Sequence, residues 1–505
     1  MKKIKKALIS TFSKDGLDVV VNELNGLGVQ LYSTGGTGDF IKSLGIDVTL
    51  IEDITGYPSI LGGRVKTLHP KVFGGILSRA ENANDAGELE KYELPEFDLV
   101  IVDLYPFKKT LESGASHQDI IEKIDIGGIS LIRAAAKNYD RVLIVSSGSD
   151  YGRLLKLLRE KNGETSLDDR VWFAAQAFNV SSSYDMAIFG YLNRNVGLPS
   201  LAQNATEHTA LRYGENPHQQ AVFFGKLDSM FDKLHGKDIS YNNLLDIDAA
   251  IALINEFDEP TFAVLKHNNA CGCASRKTLL EAWKAALAGD PVSAYGGVLV
   301  ANRAVDKACA EEVNKLFFEV IIAPGYDADA LSVLTSKKNR IILKLNDSKL
   351  PPVQFRTVLN GIAVQDRDNE LGGANGIKVA TKVAPADDVV ADLLFANKLV
   401  KYSKSNAIVL AKNKMLLASG VGQTSRVDAL KQAVEKAAAF ELSLAEAVMA
   451  SDAFFPFADC VELAHKAGVT AVVQPGGSVR DSESVDYCNE HGMSMVFTGI
   501  RHFKH

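Results

Sequence analysis

The chain is poor in cysteine and has no segment built to cross a membrane. Its 505 residues include five cysteines, Cys271, Cys273, Cys309, Cys460 and Cys488. An odd count at irregular spacing is no disulfide framework and suits reduced thiols, hence a cytoplasmic location. No run of about 18 apolar residues occurs, so no transmembrane helix is expected. The opening MKKIKKALISTFSK imitates a signal peptide only faintly, because its apolar part is short and interrupted; KALIST reads better as a first strand. The Walker loop, with its terminal GK[ST], is missing, and so is GxGxxG, which argues against an NTPase and a dinucleotide site. Cys271-Gly272-Cys273 soon after His267 invites a zinc reading. Yet H-x-E and P-C-x-x-C, which zinc deaminases need, are both absent, and buried or loop thiols fit better. No requirement for metal, NAD or ATP is therefore expected. No internal repeat or low-complexity segment is visible.

What is present is the balance of a globular protein, with 46% hydrophobic and 23% charged residues. The length exceeds one ordinary core, so two or three domains are expected. The net charge of −7 argues against a nonspecific nucleic-acid binder but leaves local phosphate sites open. Over residues 1–193, apolar runs alternate with amphipathic ones. KALIST, VQLYST, IDVTLI, DLVIVDLY and RVLIVSS read as strands, and residues 15–26, 37–44, 129–137 and 150–161 as helices. This is the α/β alternation of a mostly parallel sheet covered by helices. Residues 194–210 lack apolar periodicity and carry Gly, Pro and polar residues, so they read as a linker, with a second domain over 211–505.

Four clusters in the first domain can carry chemistry. Ser33-Thr34-Gly35-Gly36-Thr37-Gly38 lies between a strand and a helix, where backbone N–H groups can approach an anion; alone, it is equally a plain loop. Ser10 and Lys14 leave the first strand toward the same place. In GGRVKTLHPKVFGGIL, Arg64, Lys66, His69 and Lys71 fall between Gly62-Gly63 and Gly74-Gly75, which suggests a shaped loop rather than a helix, or simply a solvated basic turn. DLYPF places Asp103, Tyr105 and Phe107 at a strand end. Asp125 precedes Gly127-Gly128 and a helix bearing Lys137, with which it can form an ordinary ion pair.

In the second domain, TFAVLKHNNACGCAS over residues 261–275 reads as a buried strand that delivers Lys266 and His267 to its end. Strand ends open into ligand crevices in α/β proteins. There His267 can move a proton and Lys266 can stabilise an oxyanion, although an isolated Lys-His pair is more often an ordinary solvated strand end. Further stretches are RYGENPHQ (from Arg212 and Tyr213), DPVSAYGG, EVIIAP, Ser405-Asn406 after a helix, GQTSR (Gln423, Arg426), SDAFFPF (to Phe457), QPGGS, and the tail TGIRHFKH with Arg501, Phe503 and His505.

KHNNACG resembles the KHxNPCG stretch of one family, the bifunctional purine-biosynthesis enzymes that join AICAR transformylase to IMP cyclohydrolase. The other clusters follow in that family's order from Ser10 to His505. The resemblance implies a methylglyoxal synthase-like first domain and a transformylase domain with two cytidine deaminase-like subdomains. It implies formyl transfer from 10-formyltetrahydrofolate to AICAR, then dehydrating closure of formyl-AICAR to IMP. By resemblance, Lys66, Tyr105, Asp125 and Lys137 act in cyclisation. Ser10, Lys14, Thr34, Gly36, Thr37, Arg64, Thr67, Gly127 and Gly128 hold substrate there. Lys266 and His267 act in transfer, with Arg212, Tyr213, Asn406, Gln423, Arg426, Phe457, Arg501, Phe503 and His505 around the nucleotide. A homodimer, and no nucleic-acid or membrane partner, go with it. Three positions depart from the family: Phe12 replaces a serine, so a phosphate contact is lost or moves to Ser13; Ala270 replaces a proline; Gly325 replaces an aspartate. A chain retaining one activity, or a purine-nucleotide binder without turnover, is the alternative reading.

Overall fold

In the computed structural model, residues 1–61, 64–79, 81–347, 349–371 and 376–505 are described. The chain forms two compact units, 1–204 and 205–505.

The first unit is built on five parallel strands: β1 (Lys6–Ser10), β2 (Gln30–Ser33), β3 (Thr49–Leu50), β4 (Leu99–Val102) and β5 (Leu143–Val145), in the order β3-β2-β1-β4-β5. The three central strands and β5 bury their apolar residues, as a sheet covered on both faces requires. Helices α1 (Leu17–Gly26) and α5 (Tyr151–Glu160) pack on one face. On the other lie α3 (Pro70–Leu77) and α4 (Gly127–Lys137), and α6 (Leu167–Asn193) crosses behind α4. Helix α2 (Gly35–Ser43) follows β2 directly.

Three readings change. The expected strand IDVTLI pairs only over Thr49–Leu50, at the sheet's edge, before a helix over Ile51–Thr55. Gly74-Gly75 lies inside α3, because Pro70 starts a helix whose Gly75 packs against Pro95; a Cβ there would fall 1.9 Å from the Pro95 carbonyl oxygen. Gly62-Gly63 lies outside the described residues. The 27-residue α6, absent from the expected helices, starts at a Ser166/Asp169 capping box. The stretch after α6 makes bonds of its own. Asn193 exchanges hydrogen bonds with the backbone of Leu198, Asn204 donates to Asn179, and His208–Ala210 pairs with Val222–Phe224.

The second unit holds one sheet of twelve strands. Its first six are β6 (Phe231–His235), β7 (Thr261–Lys266), β8 (Asn269–Ser275), β9 (Val298–Ala301), β10 (Val320–Ala323) and β11 (Ile341–Leu345). The other six are β12 (Lys378–Val379), β13 (Ile408–Lys412), β14 (Met415–Gly420), β15 (Ala447–Ser451), β16 (Val469–Gln474) and β17 (Ser494–Phe497). The order is β6-β11-β10-β9-β7-β8-β14-β13-β15-β16-β17-β12. It reads the same from either end: an antiparallel edge strand, three parallel strands, then an antiparallel hairpin that meets its counterpart at the centre. The unit is therefore a duplication. Helices α7 (Tyr241–Ile254) and α9 (Asp387–Lys401) precede the two hairpins and share one core against the whole sheet. Helices α8 (Leu279–Gly289) and α10 (Arg426–Ala439) follow them on the opposite face, in two separate clusters.

Candidate active sites

In the first unit the candidates converge on one cleft of about 1040 Å³ beyond the C-terminal ends of β1, β2 and β4. Ser10, Lys14, Thr34, Gly36, Thr37, Arg64, Lys66, Thr67, Tyr105, Asp125, Gly127 and Gly128 all line it. Thr34 caps α2, so the positive end of that helix opens into the cleft. Ser10 Oγ and Thr34 Oγ1 lie 3.1 Å apart, and Lys14 Nζ donates to Thr37 Oγ1 at 3.0 Å. Burial lowers the Lys14 pKa, with the Asp103 charge opposing. Gly35 takes φ +42°, and Lys66 Nζ sits 3.4 Å from where its Cβ would be; a side chain at this position would crowd the lysine.

On the opposite wall, Asp125 stands before α4 and accepts from the N–H of Gly128 at 2.6 Å. A Cβ on Gly128 would lie 2.9 Å from that carboxylate oxygen, so a larger residue there would push the carboxylate aside. Burial raises the Asp125 pKa, against the backbone hydrogen bonds that hold the anion. Burial first, then the Asp125 charge, raises the Tyr105 pKa, which keeps the phenol protonated. The site is thus a cationic end, with Lys14, Arg64 and Lys66, facing a carboxyl and phenol pair.

In the second unit, β7 does not end in an open crevice. It turns back into β8 through a two-residue hairpin in which His267 and Asn268 take φ 53° and 65°. Two positive φ values are what a type I′ turn needs; asparagine accepts this readily, histidine at some strain. Asp246 on α7 fixes the turn by accepting from Asn268 N at 2.7 Å. Lys266 Nζ donates to the Tyr295 carbonyl at 2.8 Å, and His267 is exposed beside it. Asn269 Oδ1 accepts from Lys404 N at 2.9 Å, which joins the turn to residues 404–406. There Asn406 donates to the carbonyls of Gln423 and Thr424 and accepts from Arg426 at 3.0 Å. Arg426 also pairs with the fully buried Asp452 at 2.8 Å. The C-terminal tail closes the set: Ser405 N donates to Lys504 O, and His502 N to Asp452 O, both at 2.9 Å.

A family model described as AICARFT/IMPCHase bienzyme matches residues 135–436, and one for the MGS-like domain matches residues 16–130. A protein of Bacteroides thetaiotaomicron, "Bifunctional purine biosynthesis protein PurH", is 63% identical over 504 residues, covering 100% of this chain and 99% of the relative. Proteins of the same name from Caldicellulosiruptor saccharolyticus and Persephonella marina are each 46% identical, covering 99% of this chain and 100% of theirs. The chain belongs to the AICARFT/IMPCHase bienzyme family. It is a bifunctional enzyme of purine biosynthesis, an AICAR transformylase joined to an IMP cyclohydrolase, with an MGS-like first domain.

Set against the bienzyme's expected sites, some residues stand elsewhere. Lys137 ends α4, about 15 Å along the axis from Gly127, so it does not line the cleft and makes no ion pair with Asp125. Phe12 leaves no gap where the serine would be. Its ring packs edge-on against Tyr105 at 5.5 Å. Ser13 Oγ donates to Asp15, and Ser13 is not among the residues that line the cleft. Arg426 spends its guanidinium on Asp452, Asn406 and the Phe454 carbonyl rather than facing outward. Arg212 donates to the hydroxyl of its neighbour Tyr213 at 2.6 Å. Phe457 stacks under Arg480 in a shallow hollow of its own, while Arg501, Phe503 and His505 form an exposed cluster at the tail.

Sequence reasoning missed several partners. Tyr184 on α6 accepts from Asp125 N and donates to the Lys123 carbonyl, fixing the loop before α4. Asp103, already named with the DLYPF cluster, lines the cleft and accepts from the N–H groups of Phe12 and Ser13, partners the sequence did not show. Lys123 Nζ stands 5.7 Å from the Phe12 ring centroid and 5.8 Å from that of Tyr105. Among the described residues, no group of three or more His, Cys, Asp or Glu side chains is placed to hold a metal ion.

Proposed function

We propose that the first unit closes formyl-AICAR to IMP in the Asp125 cleft and that the second forms formyl-AICAR at the Lys266–His267 turn, with 10-formyltetrahydrofolate as the formyl donor. The observation that carries this reading is the single cleft shared by Lys66, Tyr105, Asp125 and the phosphate-facing set Ser10, Lys14, Thr34 and Thr37.

In the closure, the carboxamide nitrogen attacks the formyl carbon of the same molecule, so holding the two in contact supplies much of the rate. The departing water takes the formyl oxygen, one carboxamide proton and the formamido proton. Asp125, its basicity raised by burial, accepts the amide proton. Tyr105 and Lys66 donate to the oxygen as it gains charge. Lys137 has no contact with that cleft, and its part in the proposal is indirect.

In the transfer, the 5-amino nitrogen of AICAR bonds to the formyl carbon, and the bond from that carbon to the folate N10 breaks. His267 takes the amine proton, and N10 leaves with a proton. Lys266, held by one hydrogen bond to Tyr295, has two further N–H groups for the oxyanion. Asn406 and Arg426 shape the 404–406 segment that Asn269 grips. We assign the two a positioning role.

The active form is a homodimer in the cytoplasm. A two-stranded ribbon, Val353–Val358 with Gly361–Asp366, exposes Phe355, Val358, Leu359, Ile362 and Val364, an apolar surface suited to a second copy. Purified protein supplied with AICAR and 10-formyltetrahydrofolate is expected to make IMP. Accumulation of formyl-AICAR would mean that only transfer survives. Nucleotide binding without either product would sink the catalytic reading.

A further inference from the structure

Helix α7 meets the transfer site twice. At its start, Asn242 Nδ2 donates to the Glu215 carbonyl at 3.0 Å, which ties the helix to the RYGENPHQ stretch. One turn later, Asp246 Oδ1 accepts from Asn268 N at 2.7 Å. The helix is a firm mount for that carboxylate. A capping box of Ser240 and Asn243, both buried, starts it, and its apolar face packs in the core shared by the whole sheet.

The contact with the turn uses one oxygen. Among the described residues, no hydrogen bond reaches Asp246 Oδ2. Burial raises the Asp246 pKa, while the Asn268 N–H and the charge of His267 pull it back down. His267 is exposed; Asn269 Nδ2 donates to its carbonyl at 2.8 Å, and among the described residues no hydrogen bond reaches its ring. The carboxylate and the imidazole thus act on each other as charges across the turn.

The β13–β14 hairpin supplies a comparison within the same chain. There Asp392, on α9, gives both oxygens to the turn, accepting from Asn413 N and Lys414 N at 2.6 Å each. That turn holds no histidine, and it lies at the far end of β8, where Ser275 N donates to Lys414 O at 3.0 Å. Asp392 is what an aspartate looks like when it only holds a turn. Asp246 holds its turn by half as many bonds and keeps its second oxygen beside a base.

We propose that Asp246 is a positioning residue of the formyl transfer, whose carboxylate balances the charge that His267 gains when it takes the proton of the AICAR 5-amino group. The inference rests on His267 being the base of that step. The attraction appears only as the imidazolium forms, so it lowers the barrier without tightening the bound ground state, and its loss falls on kcat rather than on KM. An opposite charge close by typically favours a charged form about tenfold or more.

Asp246→Asn keeps an oxygen for the Asn268 N–H and removes the charge. It is expected to lower kcat for formyl transfer about tenfold or more, with both KM values, cyclisation and Tm near those of wild type. Asp392→Asn, which leaves one turn N–H without its acceptor, is expected to do the opposite: a lower Tm and an unchanged kcat. An Asp246→Asn protein that transfers at the wild-type rate, or whose loss lies in KM or comes with the same fall in Tm as Asp392→Asn, overturns the proposal. Combination with His267→Ala shows through which group the carboxylate acts. In that background Asp246→Asn is expected to cost nothing further, because the charge it answers never forms. Losses that multiply would mean that Asp246 acts by another route and would overturn the proposal alone. A His267→Ala protein that transfers at the wild-type rate would defeat the reading of His267 as the base, and this inference with it.

Discussion

A buried carboxyl at the mouth of a helix is a compromise between stability and chemistry, and Asp125 shows both sides. Its pKa is raised in the folded chain by burial, so folding favours its protonated form. The folded protein therefore holds that proton more tightly than the unfolded one, and stability falls as pH rises through the window above the ordinary carboxylate value of 3.8. Asp125→Asn keeps an oxygen for the Gly128 N–H and removes the charge. It is expected to raise Tm at neutral pH, by an amount that shrinks as the pH falls toward the ordinary carboxylate range, and to slow cyclisation at least about a hundredfold. Melting curves across that range, with the cyclisation assay at neutral pH, check both; a lower Tm at neutral pH would mean that the anion stabilises the site. Asp125 was visible in the sequence as a carboxylate before Gly127-Gly128, but its role came from the family resemblance alone, since by itself it reads as an ion-pair partner of Lys137. Tyr184, which fixes the same loop, was not visible, because its only signal is its place in space on a long helix. The effect of Phe12 was half legible: the lost serine shows in the chain, but the ring's seat against Tyr105 does not.

The hairpin that carries Lys266 has a twin. Asn413 and Lys414 take φ 51° and 49° between β13 and β14, and Asp392 accepts both of their N–H groups at 2.6 Å, as Asp246 accepts that of Asn268. Both hairpins carry a register irregularity two residue pairs before the turn, between Val264 and Leu265 and between Leu410 and Ala411, and both are followed by a helix capped by Thr278 or Ser425. The sequence concealed this duplication because the shared pattern is one of backbone and caps, while the side chains diverged: His267 and Asn268 occupy the positions that Asn413 and Lys414 hold in the other hairpin. The strand before the motif was readable from its apolar run. The turn after it was not, since His267-Asn268 is not one of the Asn-Gly or Asp-Gly pairs that mark a two-residue hairpin. The motif's glycine has a structural task. A Cβ on Gly272 would lie 2.1 Å from the Ala286 carbonyl oxygen on α8, so Gly272→Ala has to push helix and hairpin apart. Overpacking of this kind typically costs about 1–3 kcal/mol. The variant is expected to lower the stability of the transformylase unit and its formyl transfer, with cyclisation unchanged. Denaturant melts together with the two separate assays read this, and a variant as stable and active as wild type would mean that α8 moves aside freely.

At the scale of the whole chain, two sets of chemistry fall in two compact units that divide between Asn204 and Ala205. The alternation of strands and helices made the first unit readable, and clusters scattered from Ser10 to Gly128 assemble in one cleft because parallel strands all deliver their C-terminal ends to the same edge. Lys137 is the exception, since helical geometry carries it away from the residues that neighbour it in the motif. The second unit was readable only through its motifs, for its sheet order depends on pairings between distant segments. Such a division predicts reciprocal effects of two substitutions. Lys266→Ala is expected to abolish formyl transfer while cyclisation of supplied formyl-AICAR stays near its original rate. Lys66→Ala is expected to do the reverse, so that formyl-AICAR accumulates. Removing a charged donor from a developing oxyanion costs about 3–4 kcal/mol, roughly a hundredfold to a thousandfold in rate, which is large enough to appear in one assay and be absent from the other. Both reactions measured separately on both variants, each with a normal thermal melt, decide the matter. Loss of both activities from either well-folded variant would mean that the lysines do not serve two separate sites.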